Sequence, residues 1–368
     1  MIKERFPGLM ANMQVYRTPV SRITGIGAHL PTREIDNRTL VEMIDAPPEV
    51  KKKLGKMIDR VTGIKSRRYA PQGTAPSDLA CEATTLALES AGVALSQIDT
   101  LIFASTDLDI IEPATANIVQ QKLGIERINA FDVTNACNSF LQGMNVANSL
   151  LATGAANRVL VTSGEVGSYV FNRQLASLGE LNIKMGGLTL GDAGAAVIME
   201  RANGSAGLLE INLMSIGEHW ETCHVPEMTD WRQTEGGSIH GWFYLDMPKL
   251  ATIAREATVD YFADYATYRR SAHDDHALLE RLVQIIPHQI SPRFIEDIGR
   301  AVFPRGTAAD FRRVCVTADI YGNTASTAIP LAMVKLITDG VIEFGSGQEI
   351  LLYGAASGFG LGHIRMRL

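Results

Sequence analysis

Phe131-Asp132-Val133-Thr134-Asn135-Ala136-Cys137-Asn138-Ser139-Phe140 hands a strand over to a helix. The part up to Val133 is apolar and strand-like, a short polar turn follows, and a helix opens close to Cys137. Phe140, Met144, Ala147 and Leu151 recur at helical spacing and mark one buried face. Cys137 therefore sits at a helix N-terminus, where the positive end of the helix dipole favours a thiolate. That effect is worth only about 0.3–1 kcal/mol, too little to make a catalyst alone. The competing reading is a small, buried, apolar cysteine.

Strands and helices alternate on both sides of this handover. Ile23 to Leu30, closed by Pro31, is the first core segment. Ser77 to Ala91 reads as an N-capped helix ended by Gly92. Leu101 to Ala104 is strand-like, Asp107 to Glu112 is a loop, and Pro113 opens a helix that ends at Gly124. Arg158 to Thr162 is the next strand. This alternation predicts an α/β fold, a mostly parallel sheet covered by helices. Gly191-Asp192-Ala193-Gly194 lacks the spacing and the preceding strand of a dinucleotide fingerprint. It reads as a turn where two backbones pass closely.

The second half repeats the order. Leu282 to Ile286 is a strand, Pro292 to Arg300 a helix and Val314 to Val316 a strand. A helix then begins at Gly322-Asn323, and Glu349 to Tyr353 is the last matching strand. Such a repeat predicts two related halves, 1–203 and 204–368, packed about a pseudo-twofold axis. Cys137 and Asn323 are expected at equivalent places, and His288 follows the strand Leu282 to Ile286. Ligands of parallel α/β sheets bind beyond the carboxyl ends of strands, so these three residues are expected to converge on one site.

With 368 residues, 46% of them hydrophobic and 20% charged, the chain can bury a large core, as a soluble enzyme does. A net charge of −6 argues against nucleic acid as a main partner, since phosphate binding needs a basic surface. Cys81, Cys137, Cys223 and Cys315 show no paired spacing, which fits a reduced, cytoplasmic setting. Met1 to Val20 makes a poor signal peptide, and no apolar run approaches the ~20 residues of a membrane span. Lys51, Lys52, Lys53, Lys56 and Arg60 form a basic helical stretch. It reads as a solvated face, with a landing site for a phosphate-bearing or acidic ligand as the alternative. Trp220, Trp231 and Trp242 cluster, as core, interface or tunnel wall. His219, Cys223 and His224 match no common zinc spacing, so no metal is expected. His273 and His276, beside Asp274 and Asp275, read as solvated.

One family unites these features. Thr62-Gly63-Ile64, the Cys137 stretch, Gly191-Asp192-Ala193-Gly194, Pro287-His288-Gln289, Tyr321-Gly322-Asn323-Thr324 and Ser357-Gly358-Phe359-Gly360 stand in the order of the thiolase-fold condensing enzymes. The sequence resembles β-ketoacyl-acyl carrier protein synthase III in particular. The resemblance implies a homodimer with a duplicated, thiolase-like, five-layered αβαβα fold. It also implies a catalytic set of Cys137, His288 and Asn323, with an oxyanion hole made by the backbone N–H groups of Cys137 and Ser357. Acyl-CoA or acyl carrier protein thioesters would be substrates, with no cofactor. The activity implied is an acyltransfer in which a Cys-bound acyl group undergoes Claisen condensation with a malonyl thioester.

Several positions depart from synthase III. Met57 stands where a tryptophan usually precedes Thr-Gly-Ile. Val166 to Leu188 is long, and Ile290-Ser291 replaces a small residue and asparagine. Ile111-Glu112-Pro113-Ala114-Thr115-Ala116 resembles instead the head-to-head acyl-CoA condensing enzymes of olefin synthesis. In that branch Glu112 would reach a partner subunit as the base that removes an α-proton. Acyl transfer to an oxygen or nitrogen acceptor is the third activity such an enzyme could have.

Overall fold

The computed structural model describes residues 6–225, 242–273 and 278–368. Trp231, Asp274, Asp275 and His276 lie outside them. The first half builds β1 (Ser21–His29), β2 (Thr100–Ala104), β3 (Asn129–Val133), β4 (Arg158–Val166) and β5 (Asp192–Arg201) into one sheet of order β1-β5-β4-β2-β3. The second half builds β6 (Gly207–Ser215), β7 (Leu282–Pro287), β8 (Glu349–Ala356) and β9 (Gly360–Arg367) into a second sheet. Its order is β6-β9-β8-β7, with Gln14–Val15 added outside β6. In both sheets a parallel pair, β2–β4 in the first and β7–β8 in the second, lies beside the strand that closes the half and returns antiparallel, β5 or β9. The duplication is therefore visible as two sheets of matching order.

Helices fill the space around and between the sheets. α1 (Pro48–Thr62), α2 (Pro76–Ala91), α3 (Thr115–Lys122), α4 (Ser139–Thr153) and α5 (Leu181–Thr189) belong to the first half. α6 (Met247–His273), α7 (Pro292–Val302) and α8 (Ala328–Thr338) belong to the second. Small apolar residues of α2 and α3, among them Ala83, Ala87 and Ala116, pack on Leu101, Phe103 and Leu160. The apolar faces of α4 and α8 bring Phe140, Met144, Ile329 and Met333 against Val161 and Val197 of one sheet and Leu352 and Ile364 of the other. α6 and α7 cover the far side through Tyr261, Phe262, Ile295 and Ile298. Five layers result, with α4 and α8 buried in the middle.

Several elements depart from the sequence pattern, each for a local reason. α3 starts at Thr115, not Pro113, because the Asp132 carboxylate accepts from the backbone N–H of Thr115 and Ala116, both at 2.8 Å. α2 starts one residue early at Pro76. The backbone N–H and hydroxyl of Ser77 are drawn instead to Asp109. Val314 to Val316 is not a strand; Val314 alone bridges to Ile285. The chain is turned away there by Gln289, whose Oε1 accepts from Thr317 N (2.8 Å) and Ala318 N (3.2 Å). Gly191-Asp192-Ala193-Gly194 opens β5 rather than forming a turn, yet the close approach is real. A Cβ on Gly194 would sit 2.0 Å from the carbonyl oxygen of Leu79 in α2.

Asn323 is not the counterpart of Cys137. Cys137 lies two residues before α4 and follows Ala136, a non-glycine residue at φ +47°. The residue two before α8 is Ser326, and it follows Ala325 at φ +46°. The repeat thus pairs Cys137 with Ser326, and Asn323 stands three residues upstream in the same turn.

Because α2 rests directly on the backbone of β5, Gly194→Ala is expected to destabilise the fold by about 1–3 kcal/mol through overpacking. Gly204→Ala, where nothing approaches within 4 Å, should leave stability unchanged. Denaturant unfolding of the two variants checks this, and equal midpoints would refute the close contact.

Candidate active site

Each polar residue of the site is fixed by its backbone. The turn before α4 is closed by Asn138 N donating to Asn135 O (3.0 Å) and by Ser139 Oγ accepting from Asn135 N (2.7 Å). This holds Ala136 in the left-handed region, a cost of order 1–3 kcal/mol that packing must offset, and turns Cys137 toward the space between the sheets. His288 follows β7, and its backbone N–H donates to Tyr353 O at 2.7 Å. Its side chain is buried, and among the described residues neither ring nitrogen has a partner. Asn323 N donates to Thr189 O (2.8 Å), and Gly191 N donates to Asn323 O (2.9 Å). Its side-chain Oδ1 accepts from Ala325 N at 3.0 Å, which leaves Nδ2 as the donor side. Ser357 lies in the tight connection between β8 and β9, where Gly358 and Phe359 both have positive φ.

The structure brings Cys137, His288, Asn323 and Ser357 to one cavity of about 340 Å³. Its walls are apolar, with Met185, Phe243, Leu245, Leu250, Phe294 and Phe359 among them. Val61 and Thr62 at the end of α1 also contribute. A dry wall of this kind penalises any charge that forms before substrate arrives. Burial, reinforced by the nearby Cys223 and Glu165, pushes the Cys137 thiol well above its ordinary range. The backbone N–H groups of Cys137 and Ser357 reach the sulfur and pull the other way. Burial alone pushes His288 down to about 3, so its imidazole is neutral. The site therefore offers a protonated thiol, a neutral ring with unused nitrogens, an amide donor and two backbone donors. Such a set can take up an acyl group on sulfur and hold an oxygen on which negative charge develops.

The other expected residues fall elsewhere. Glu112 is exposed on the loop after β2 and is not part of this chain's cavity wall. Ile111 beside it is 85% exposed, which leaves an apolar side chain unburied. Lys52, Lys53, Lys56 and Arg60 form a solvated face of α1. Met57 packs into the core beneath that helix. Trp220 is largely exposed, and Trp242 packs near Tyr244 with the Lys184 ammonium 5.7 Å from its ring. Neither tryptophan lines the cavity; Phe243 and Leu245 do. No group of three or more metal-ligating side chains occurs among the described residues. His219 packs edge-on against Phe359, whereas Cys223 lines the cavity, a place its sequence context did not signal.

Comparison with known proteins gives the family and the fold. Residues 131–217 match the family model of 3-oxoacyl-[acyl-carrier-protein (ACP)] synthase III, and residues 278–368 match that of its C-terminal part. β-Ketoacyl-[acyl-carrier-protein] synthase III of Neisseria meningitidis serogroup C is 31% identical over 353 residues, which cover 94% of this chain and 99% of the relative. In fold, the chain is like 3-oxoacyl-[acyl-carrier-protein] synthase III from Aquifex aeolicus, with a TM-score of 0.77 and 24% identity over 95% of this chain and 100% of that one. It is also like a variant of Xanthomonas campestris OleA with bound lauric acid and lauroyl-CoA. There the TM-score is 0.80, with 23% identity over 95% of this chain and 99% of that one.

A thiol whose pKa is raised is less ionised at a given pH than a free one. Alkylation of Cys137 by iodoacetamide is therefore expected to be slow near neutrality and still rising above about pH 9, where an ordinary thiol has levelled off. Peptide mass mapping across pH reads this directly, and a plateau below that point would contradict it.

Proposed function

Because this chain belongs to the 3-oxoacyl-[acyl-carrier-protein] synthase III family of acyltransferases, we propose that it joins two acyl units by Claisen condensation at Cys137. The observation that carries this reading is the meeting of Cys137, His288 and Asn323 in one apolar cavity. In the first step the Cys137 sulfur attacks an acyl thioester carbonyl. The oxyanion is held by the N–H groups of Cys137 and Ser357, where losing one such donor typically costs about 2.7–4 kcal/mol. The leaving thiolate takes the proton that the sulfur gives up, and the neutral ring of His288 can relay it. In the second step a malonyl thioester loses CO2, and the electron pair of the broken bond enters its thioester carbonyl. His288 and Asn323 Nδ2 donate to that oxygen. The carbanion attacks the acyl-cysteine carbonyl, a carbon–carbon bond forms, and the Cys137 sulfur departs and is reprotonated.

CoA or an acyl carrier protein thioester is the proposed donor. The basic face of α1 runs toward Val61 and Thr62 at the cavity, which suits a phosphate-bearing carrier. A homodimer is proposed from the edge of the first sheet. β3 is paired on one side only, and Ile110 and Ile111 lie exposed on the loop that precedes it in the chain. A second copy would cover both.

Two measurements test the main reading. Incubation with an acyl-CoA panel should add one acyl mass at Cys137, and malonyl thioester should then release a β-ketoacyl product; no acyl mass on Cys137 would refute it. A Cys137→Ala variant should decarboxylate malonyl thioester at a rate level between about pH 5 and 8, where an ordinary histidine titrates. An inflection in that window would mean that His288 is not held neutral.

The exposed Ile111-Glu112 loop favours one alternative, head-to-head condensation of two acyl-CoAs with Glu112 acting in the partner's cavity. Glu112→Gln should then abolish product from acyl-CoA alone and spare acylation of Cys137. Unchanged product, or a monomer in sedimentation, would remove Glu112 from the reaction.

A further inference from the structure

A buried carboxylate that the reaction does not use lies behind the site. Glu165, near the end of β4, is 1% exposed and does not line the cavity. Its Oε1 accepts from Thr106 N (2.7 Å), Ser105 Oγ (3.0 Å), Ser326 N (3.3 Å) and, at short range, Ser326 Oγ. Its Oε2 accepts from Asp107 N at 3.2 Å. Asp107 closes the ring by accepting from Val166 N at 2.8 Å. Ser163 Oγ adds contacts to Ser326 Oγ (2.7 Å) and Ser105 Oγ (3.2 Å).

These partners come from three places in the chain. Ser105 to Asp107 begin the loop that carries Glu112. Ser326 ends the turn that begins at Asn323, in the other half of the molecule. Glu165 itself extends the strand between them. A side chain that only filled space would not need five donors. A carboxyl group, with two oxygens and about four lone-pair sites, is a group that can accept so many at once.

We propose that Glu165 is a positioning residue for the carbon–carbon bond-forming step. Its carboxylate ties the Asn323–Ser326 turn to the loop that leads to Glu112. The inference rests on the condensing reading above. It separates the two steps of that reaction by their supports. Acylation uses Cys137 and the N–H groups of Cys137 and Ser357, none of which hydrogen-bonds to Glu165. Condensation uses Asn323, whose turn Glu165 holds. The nearby carboxylate also opposes a thiolate at Cys137, so its removal would not slow acylation.

The test measures both steps in the full-length protein. Glu165→Ala should lower kcat for β-ketoacyl formation by about a hundredfold, the scale of a misplaced but distant support. KM and the rate of Cys137 acylation, followed by intact mass, should stay at wild-type values or rise. Glu165→Gln, which can still accept from Thr106 and Ser326, should restore at least a tenth of wild-type kcat. Should Glu165→Ala fail to fold, Ser326→Ala carries the test, with kcat lowered and acylation kept. Equal loss in both steps, unchanged kcat in the variant that folds, or no rescue by Gln would each overturn the proposal. A wild-type enzyme that is acylated but never condenses would instead overturn the reading on which it rests.

Discussion

Two helices, α4 and α8, share one apolar core with both sheets, and the turns that lead into them carry the site. The rest of the site depends on that shared packing. Their apolar faces are shared with both sheets in a single core, so neither can shift without opening a void. The turns that feed them carry Ala136 and Ala325 in matching left-handed conformations. One turn presents Cys137, and the other presents Asn323 and Ser326. Strained backbone of this kind persists only where the surroundings over-determine it, and a doubly packed helix supplies that.

Burial then decides which groups carry charge. Cys137 is kept as a thiol and His288 as a neutral ring by the same loss of solvent. On the proposed reaction, charge would appear only with the substrate, on an oxygen faced by fixed donors. Donors held in a water-poor site need no rearrangement at the moment of reaction, which is how such sites lower a barrier. The helix dipole at Cys137 is small beside these terms.

Much of this was legible from residue order. The strand-to-helix handover located Cys137, and the end of the strand Leu282 to Ile286 located His288. What residue order did not disclose is set by contacts distant in sequence. Ser326, not Asn323, matches Cys137, because the second half inserts a short helical turn, Ala318–Tyr321, and a further loop before α8. The strand expected at Val314 to Val316 is lost to the side chain of Gln289. Glu165 lies beyond the expected strand Arg158 to Thr162, and its five donors come from segments up to 161 positions away. Cys223, read beside His219 and His224 without a zinc spacing, lines the cavity where it pairs with Leu245.

The cavity wall has a different origin from its reactive floor. Cys137, His288 and Ser357 sit at the ends of elements that both halves possess. Met185, Gly186 and Thr189 come from the long excursion between β4 and β5, where the second half makes do with Ser357–Phe359. Cys223, Phe243 and Leu245 come from the stretch between β6 and α6. The polar floor and the apolar wall of the cavity thus come from separate parts of the polypeptide. A change in either excursion would alter the shape of the cavity and leave the backbone that holds Cys137, His288 and Ser357 in place.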